Sequence, residues 1–461
     1  MSPPTRSKSA RISGFPDIPH DGQQNVAHKE RLIPTEEPAS SSNSNRDAPS
    51  KKSRPSPPDA TPTYTIDLSR PPSERYVQVA TEYKGFVSEL TFLFRDIVAE
   101  MGVSAGFVTA LARVFLWRLC SKEQTEEIRG ISEATGVDMY LLVAFNVLLD
   151  LFMGCTSGGM RVKDGKISKM LHFRTLDWGM DALRRVIVQL EFVERAGGEV
   201  IARSITYVGF VGVLTGVRKD LSVSLNFRPY HNDDDSKMAN VRFYGHHLLV
   251  LLGLRPSISS NLRDLIIPKR YGSKPSKGTT KPLPGLSEIM DEFPAIPTTA
   301  AYLIFSDGEH TAVMEKDRVT ASTRTSKTFI VATNHDTAYE GDAPGHVPHA
   351  KQHTAIGMQD LIDESMDRKG CITAKWKRAC RRYRRAHPDA TDDDVSISKK
   401  TLIDWVEDYP ITNEETHFAA IMDPKAGGVA WISRWEYSAV AMADDSSGAG
   451  TIMDEPLASG D

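Results

Sequence analysis

The chain has 461 residues, 40% of them hydrophobic and 25% charged, with a net charge of −4. This is globular composition. It excludes collagen-like and wholly disordered chains, and the weak overall charge gives no sign of a nucleic-acid partner. Four cysteines (Cys120, Cys155, Cys371 and Cys380) are too few for a disulfide framework. No apolar run reaches the roughly 18 residues of a spanning helix. The start, MSPPTRSKSARISG, has no apolar h-region, so the default expectation is a cytoplasmic protein with reduced thiols.

Residues 1–62 are rich in Ser, Pro, Asn and charge and predict a disordered tail. Order is expected from Thr63-Tyr-Thr-Ile-Asp-Leu, and residues 63–154 read as a helical region. Gly106 to Cys120 is apolar on nearly every face except at Arg113 and Arg118, which predicts burial in the core or contact with a lipid surface, burial being favoured. Lys122 to Gly136 is polar, with Glu126 and Arg129 able to pair along one face. Met139 to Phe152 is strongly apolar and runs into Gly154-Cys155.

After Cys155 the texture changes to short runs bounded by Gly or charge. Strands are predicted at 169–176, 185–194, 201–210, 222–226, 300–306, 311–315, 328–333, 416–423 and 428–433, and a helix at 242–254. Helices first and many strands after imply an α+β layered domain over 155–435. Residues 361–408 read as a charged insert. Its Lys375-Trp-Lys-Arg-Ala-Cys-Arg-Arg-Tyr-Arg-Arg stretch is either an anionic membrane or nucleic-acid patch, or a solvated helix balanced by Asp392-Asp-Asp; the solvated reading is preferred. Residues 436–461 read as a flexible tail.

Four features carry chemistry. Cys155-Thr-Ser follows the apolar segment, although a lone cysteine is more often a small core residue. His172-Phe-Arg174-Thr-Leu-Asp177 lies on a strand that could pair back onto Cys155. Arg174 and Asp177 are three apart and should point to opposite faces unless the strand bends near Leu176. Gly209-Phe-Val-Gly-Val-Leu-Thr-Gly216 signals close backbone approach. It is not a dinucleotide fingerprint, since no helix pattern follows. Asn226 on its strand and Thr333-Asn334-His-Asp336 at a strand end offer amide donors for an oxyanion. No metal cluster or cofactor motif is present, and no cofactor is expected.

Taken in order, Cys155-Thr-Ser, His-x-Arg-x-x-Asp at 172–177, Gly-x-Val-Gly-x-Leu-Thr-Gly at 209–216 and Thr333-Asn-His-Asp resemble the acid ceramidase and N-acylethanolamine acid amidase family, N-terminal-nucleophile hydrolases related to the bile-salt hydrolases. The upstream Thr63-Tyr-Thr-Ile-Asp-Leu and Gly130 to Gly136 are similar too. The resemblance implies a four-layer αββα sandwich and self-cleavage between Gly154 and Cys155. It implies that Cys155 is the nucleophile, with its freed α-amine as base. Arg174 would stabilise charge near the thiol, Asp177 would hold the α-amine, and Asn334 would donate to the oxyanion. Asn226 is placed at the edge of the substrate site.

The implied substrate is an N-acyl lipid, ceramide first, then N-acylethanolamines or other N-acyl amines. A non-catalytic lipid-binding relative is the third reading. Peripheral membrane contact is an expected partner and nucleic acid is not. Gly154 stands where relatives carry a larger residue. Phe173 and Thr175 replace the usual Gly and Asn, and the Trp and second Arg expected after Asp336 are missing.

Overall fold

A computed structural model describes residues 60–87, 105–148, 154–165, 167–229, 238–269, 282–340 and 359–435. Most of the expected N-terminal tail and all of the 436–461 tail lie outside these residues.

Two sheets dominate. The first has eight strands in the order β1-β4-β5-β6-β7-β8-β9-β10. They are β1 (Thr63–Asp67), β4 (Ile187–Val193), β5 (Val200–Tyr207), β6 (Thr215–Arg218), β7 (Leu221–Phe227), β8 (Ala301–Ser306), β9 (Thr311–Lys316) and β10 (Ala321–Ser326). Only the β1–β4 pairing is parallel. The second sheet runs β11-β2-β3-β13-β14, from Phe329–Ala332, Gly154–Asp164, Ile167–Asp177, Thr416–Asp423 and Gly428–Arg434. A short β12 (Ile397–Ser398) adds to β2 in parallel.

The sheets stack face to face, β2 against β7 and β3 against β8. Helices α1 (Val77–Glu82), α2 (Lys84–Val87), α3 (Ala105–Phe115), α4 (Lys122–Thr135) and α5 (Met139–Leu148) precede β2. Helices α6 (Ala239–Leu251), α7 (Ile258–Ile266) and α8 (Leu286–Glu292) lie between β7 and β8, with α7 packed on β6 and β7. Helices α9 (Gln359–Ala386) and α10 (Lys399–Val406) cover the outer face of the second sheet. The αββα layering expected from the resemblance is therefore present.

The residues 63–154, read as helical, open with a strand that extends the first sheet. Cys155 lies near the start of an eleven-residue strand, β2. Its Cys-Thr-Ser-Gly-Gly sequence has weak strand propensity, so its pairing is tertiary: β3 on one side and β11 and β12 on the other. Glycine is needed here on both faces. A Cβ on Gly158 would lie 2.1 Å from the Ile330 carbonyl oxygen, and one on Gly159 would lie 2.0 Å from Thr311 Oγ1 of the opposite sheet.

Two further readings change. Helix α3 is not buried all round: Val114 and Phe115, and Trp117 just beyond it, are 67%, 48% and 53% exposed, while Ala112 and Leu116 pack inward. The helix read as solvated around 375–385 is solvated on one side only. The inner side of α9 carries Ile372, Trp376 and Cys380 into a second core with Val162, Phe173 and Ile421.

The helical layer is tied to the rest by buried ions. Arg75 bonds Glu123 and Glu127, and Arg263 of α7 grips Glu127 with both terminal nitrogens. Each of these four charges has an opposite partner, which is the condition for tolerating burial.

Replacing Gly158 by Ala is expected to destabilise the protein by about 1–3 kcal/mol, because the added methyl must push apart two paired backbones. Denaturant unfolding of the purified variant measures the loss; an unchanged midpoint would contradict the packing described.

Candidate active site

The site forms where β2 begins. Gly154 pairs with Asp177, Cys155 with Leu176 and Ser157 with Arg174 across the β2–β3 hairpin. The alternation read from the sequence is kept: Arg174 and Asp177 leave β3 on opposite sides. Arg174 enters the space between the sheets, where one terminal nitrogen bonds Thr215 Oγ1 at 2.6 Å and the Leu214 carbonyl. Its other terminal nitrogen donates to Cys155 Sγ at 3.3 Å. Asp177 faces α9, where its Oδ2 lies 3.9 Å from Arg368 Nε. That separation is electrostatic contact, too long for a hydrogen bond. Asp177 Oδ1 accepts from Thr416 Oγ1 at 2.7 Å. The bend expected in β3 occurs in its neighbour: β13 carries a register shift between Thr416 and Phe418, opposite Asp177 and Leu176.

Asn334 joins from the end of β11. Its Oδ1 accepts from the Cys155 backbone nitrogen at 2.8 Å and from Arg368 Nη2 at 2.8 Å, while its Nδ2 donates to the Phe227 carbonyl at 2.8 Å. These partners orient the amide: oxygen toward the Cys155 nitrogen, nitrogen toward β7. Asn334 thus presents an acceptor to the Cys155 nitrogen, and its donor group is taken up by the Phe227 carbonyl.

Helix α9 holds the same residue from behind. Ser365 Oγ accepts the Asn334 backbone N–H at 2.6 Å and bonds His335 Nδ1 at 2.7 Å. Asp336 completes the loop with a forked ion pair to Arg228, at 2.9 Å to Nε and 2.6 Å to Nη2.

Asn226, expected at the edge of the substrate site, is buried and accepts from Ser157 Oγ at 2.7 Å while donating to the Ala332 and Thr333 carbonyls at 3.1 and 3.2 Å. It ties β7 to β2 and β11. His172 bridges Ser222 and Ser224 at 2.9 and 2.8 Å. Burial lowers its pKa to about 3, so it is neutral and structural.

Arg368 and Ser365 were invisible to sequence reasoning. They lie more than thirty positions from Asn334, inside a segment read as solvated. The only available signal was an Arg and a Ser three apart among residues whose helical spacing turns them inward with Ile372 and Trp376.

Electrostatics follow from burial. Cys155 has no exposed surface. Burial raises its thiol pKa and Arg174 opposes this, leaving a net rise. Burial thus favours the protonated thiol. Asp177 is also buried. Desolvation lifts its pKa to about 6, against the pull of Arg368 and the Thr416 hydrogen bond.

A raised carboxyl pKa stabilises the fold fully below the unfolded value, near 4, and that contribution disappears as pH rises through about 6. The span corresponds to roughly 2–3 kcal/mol. Asp177→Asn is expected to flatten the pH dependence of unfolding free energy between those limits. Denaturant titrations across the acid range measure it; an equally steep profile in the variant would assign the dependence to other groups.

Comparison with known proteins finds relatives of one kind. Residues 59–119 match a family model described as the beta subunit of N-acylethanolamine-hydrolyzing acid amidase. Acid ceramidase of Rattus norvegicus is 28% identical over 185 residues, 36% of this chain and 45% of the relative. The N-acylethanolamine-hydrolyzing acid amidase of Caenorhabditis elegans is 28% identical over 183 residues, 36% of this chain and 47% of the relative. The chain thus spans about half the length of the curated relatives it matches. A solved structure of the Caenorhabditis elegans N-acylethanolamine-hydrolyzing acid amidase ortholog superposes with a TM-score of 0.39 at 18% identity, covering 59% of this chain and 93% of that one. By these sequence matches the chain is similar to members of the acid ceramidase and N-acylethanolamine-hydrolyzing acid amidase family.

Proposed function

We propose that this protein is a self-processing cysteine amidase that hydrolyses the amide bond of N-acylated lipids, with ceramide, giving sphingosine and a free fatty acid, as the first candidate. The observation that carries the reading is the convergence on Cys155: a guanidinium on its sulfur, an amide oxygen on its nitrogen and a carboxylate opposite the residue before it.

In self-cleavage, Cys155 Sγ adds to the Gly154 carbonyl carbon. The bond from that carbon to the Cys155 nitrogen breaks, and the nitrogen takes the thiol proton. Water then cleaves the resulting thioester, leaving a Gly154 carboxylate and a free Cys155 α-amine. Asn334 Oδ1 already accepts from that nitrogen and holds it in place through the change. Release of Gly154 opens space beside Asp177, whose Oδ2 has no hydrogen-bond partner in the uncut chain. A new ammonium group there would complete the carboxylate's pairing.

In substrate turnover the α-amine, with an ordinary pKa of about 7.7–8, matches a thiol of about 8.5, so the proton passes between them at little cost. Thiolate attack on the lipid amide forms a thioester and frees the amine, and water releases the fatty acid. Arg174 supports negative charge at sulfur. Arg368 brings a second cation to the site from α9, where the resemblance expected a second arginine after Asp336. The uncut site has no accessible sulfur, so the loss of surface covering Cys155 must accompany activation. The exposed apolar residues of α3 offer a greasy surface for an acyl tail.

Incubation of purified protein followed by intact-mass measurement is expected to show chains 1–154 and 155–461, and none from Cys155→Ala. A Cβ on Gly154 would meet Asp177 and Arg368 atoms only at 3.4–3.8 Å, ordinary contact, so Gly154→Ala is expected to cleave. Arg174→Met should lower lipid amide hydrolysis by on the order of 100-fold or more. Ceramide and acylethanolamide assays side by side rank the substrates. A chain that never cuts and hydrolyses neither lipid would sink the proposal and leave the lipid-binding reading.

A further inference from the structure

Helix α9 has a second face with its own chemistry. At about 100° per residue, Lys377, Arg378, Arg381, Arg382, Arg384 and Arg385 fall within an arc of roughly 160°. Arg368, Ile372, Trp376 and Cys380 occupy the opposite side. The six cations are exposed, while those four inward residues are buried or, in the case of Trp376 and Cys380, nearly so.

A solvated helix balanced by nearby acids is the bland reading of such a run. The Asp392–Asp394 triplet is the natural neutraliser, and it is occupied. Asp392 pairs with Arg384 at 3.5 Å, Asp393 pairs with Lys327 at 2.7 Å, and Asp394 caps the Thr391 backbone at 2.9 Å. Lys375 is taken by Asp408. Among the described residues this leaves Lys377, Arg378, Arg381, Arg382 and Arg385 as cations with no acidic partner, in a chain whose net charge is negative.

We propose that this stripe docks the protein on an anionic lipid surface. Two observations favour lipid over nucleic acid. Single-stranded nucleic acid is held by free aromatic faces between the cations, and both aromatic residues here are engaged: Trp376 stacks on Phe329 with ring centres 5.3 Å apart, and Tyr383 stacks on His387 at 4.4 Å. The proposed substrate is itself a lipid, and on this point the choice of surface rests on the functional reading above. The same helix carries Ser365 and Arg368, which hold Asn334, and presents the stripe roughly 14–26 Å beyond Arg368 along its axis. A docked surface would therefore lie at a fixed distance from the nucleophile.

The test is co-sedimentation of the full chain with phosphatidylcholine vesicles, with and without phosphatidylserine. Binding is expected only with the anionic lipid, and is expected to disappear at about 0.5 M salt, where screening is nearly complete over a few ångströms. R378E/R381E/R382E should weaken binding by on the order of 100-fold, and R378K/R381K/R382K should retain it, with far-ultraviolet circular dichroism confirming that both variants keep their helix.

Equal binding to phosphatidylcholine alone, undiminished binding by the charge-reversed variant, or displacement of the protein from anionic vesicles by a duplex oligonucleotide at equal phosphate would each overturn the proposal. Hydrolysis of ceramide in neutral detergent micelles reads the catalytic proposal separately. Its absence alongside intact vesicle binding would remove the enzyme reading and leave the docking surface standing.

Discussion

A single carbonyl oxygen organises this molecule's chemistry: Oδ1 of Asn334 accepts at once from the nitrogen of Cys155 and from the guanidinium of Arg368. Three parts of the chain meet there, namely the strand that starts at Gly154, the loop that ends β11 and the long helix α9. The oxygen can serve all three only because its amide nitrogen is fixed on the Phe227 carbonyl and its backbone nitrogen on Ser365. A buried amide with its dipole oriented in this way leaves little freedom to relax, and low surrounding polarity strengthens each of its bonds.

Burial sets the protonation states around that oxygen. The thiol of Cys155 and the carboxyl of Asp177 are both pushed toward their neutral forms by desolvation, and both are held back in part by an arginine. Arg174 works between the sheets and Arg368 works from the helical layer, so the two cations approach the Gly154–Cys155 bond from opposite faces of β3. The separation matters chemically. A cation on the sulfur favours thiolate, and a cation beside Asp177 favours the carboxylate that an α-ammonium would need as a partner. One peptide bond is thus flanked by a buried thiol and a buried carboxyl, each beside its own cation.

Helix α9 shows how one element can serve several purposes through its periodicity. Its inner face packs on the second sheet and supplies two side chains to the site, while its outer face carries cations that the neighbouring acids do not neutralise. Its acidic residues sit toward its N-terminus and its basic ones toward its C-terminus, an arrangement that the helix dipole favours. Dipole complementarity explains the order of the charges along the axis. It does not explain why so many basic residues share one exposed arc.

The sequence by itself determined many of the local elements and singled out the residues that meet at the start of β2. Short strand-like runs bounded by Gly or charge placed β3, β4, β5, β7, β8, β9, β11, β13 and β14 within a few residues, because strands covered on both faces read as near-continuous apolar runs. The ordered motifs picked out Cys155, Arg174, Asp177 and Asn334, which the structure gathers around one bond.

What only the tertiary structure decided was everything that depends on contacts across the chain. β2 is a strand because glycines allow two sheets and β11 to approach it, although its own residues have little strand preference. The Asn334 amide points its oxygen inward because Phe227, Cys155 and Arg368 surround it. Arg368 enters the site from a segment whose composition reads as solvent-facing, since charge density along a helix records nothing about which turn faces a buried carboxylate. Local pattern is written in nearest neighbours; the choice of partner for a buried charge is made by residues that only folding brings near.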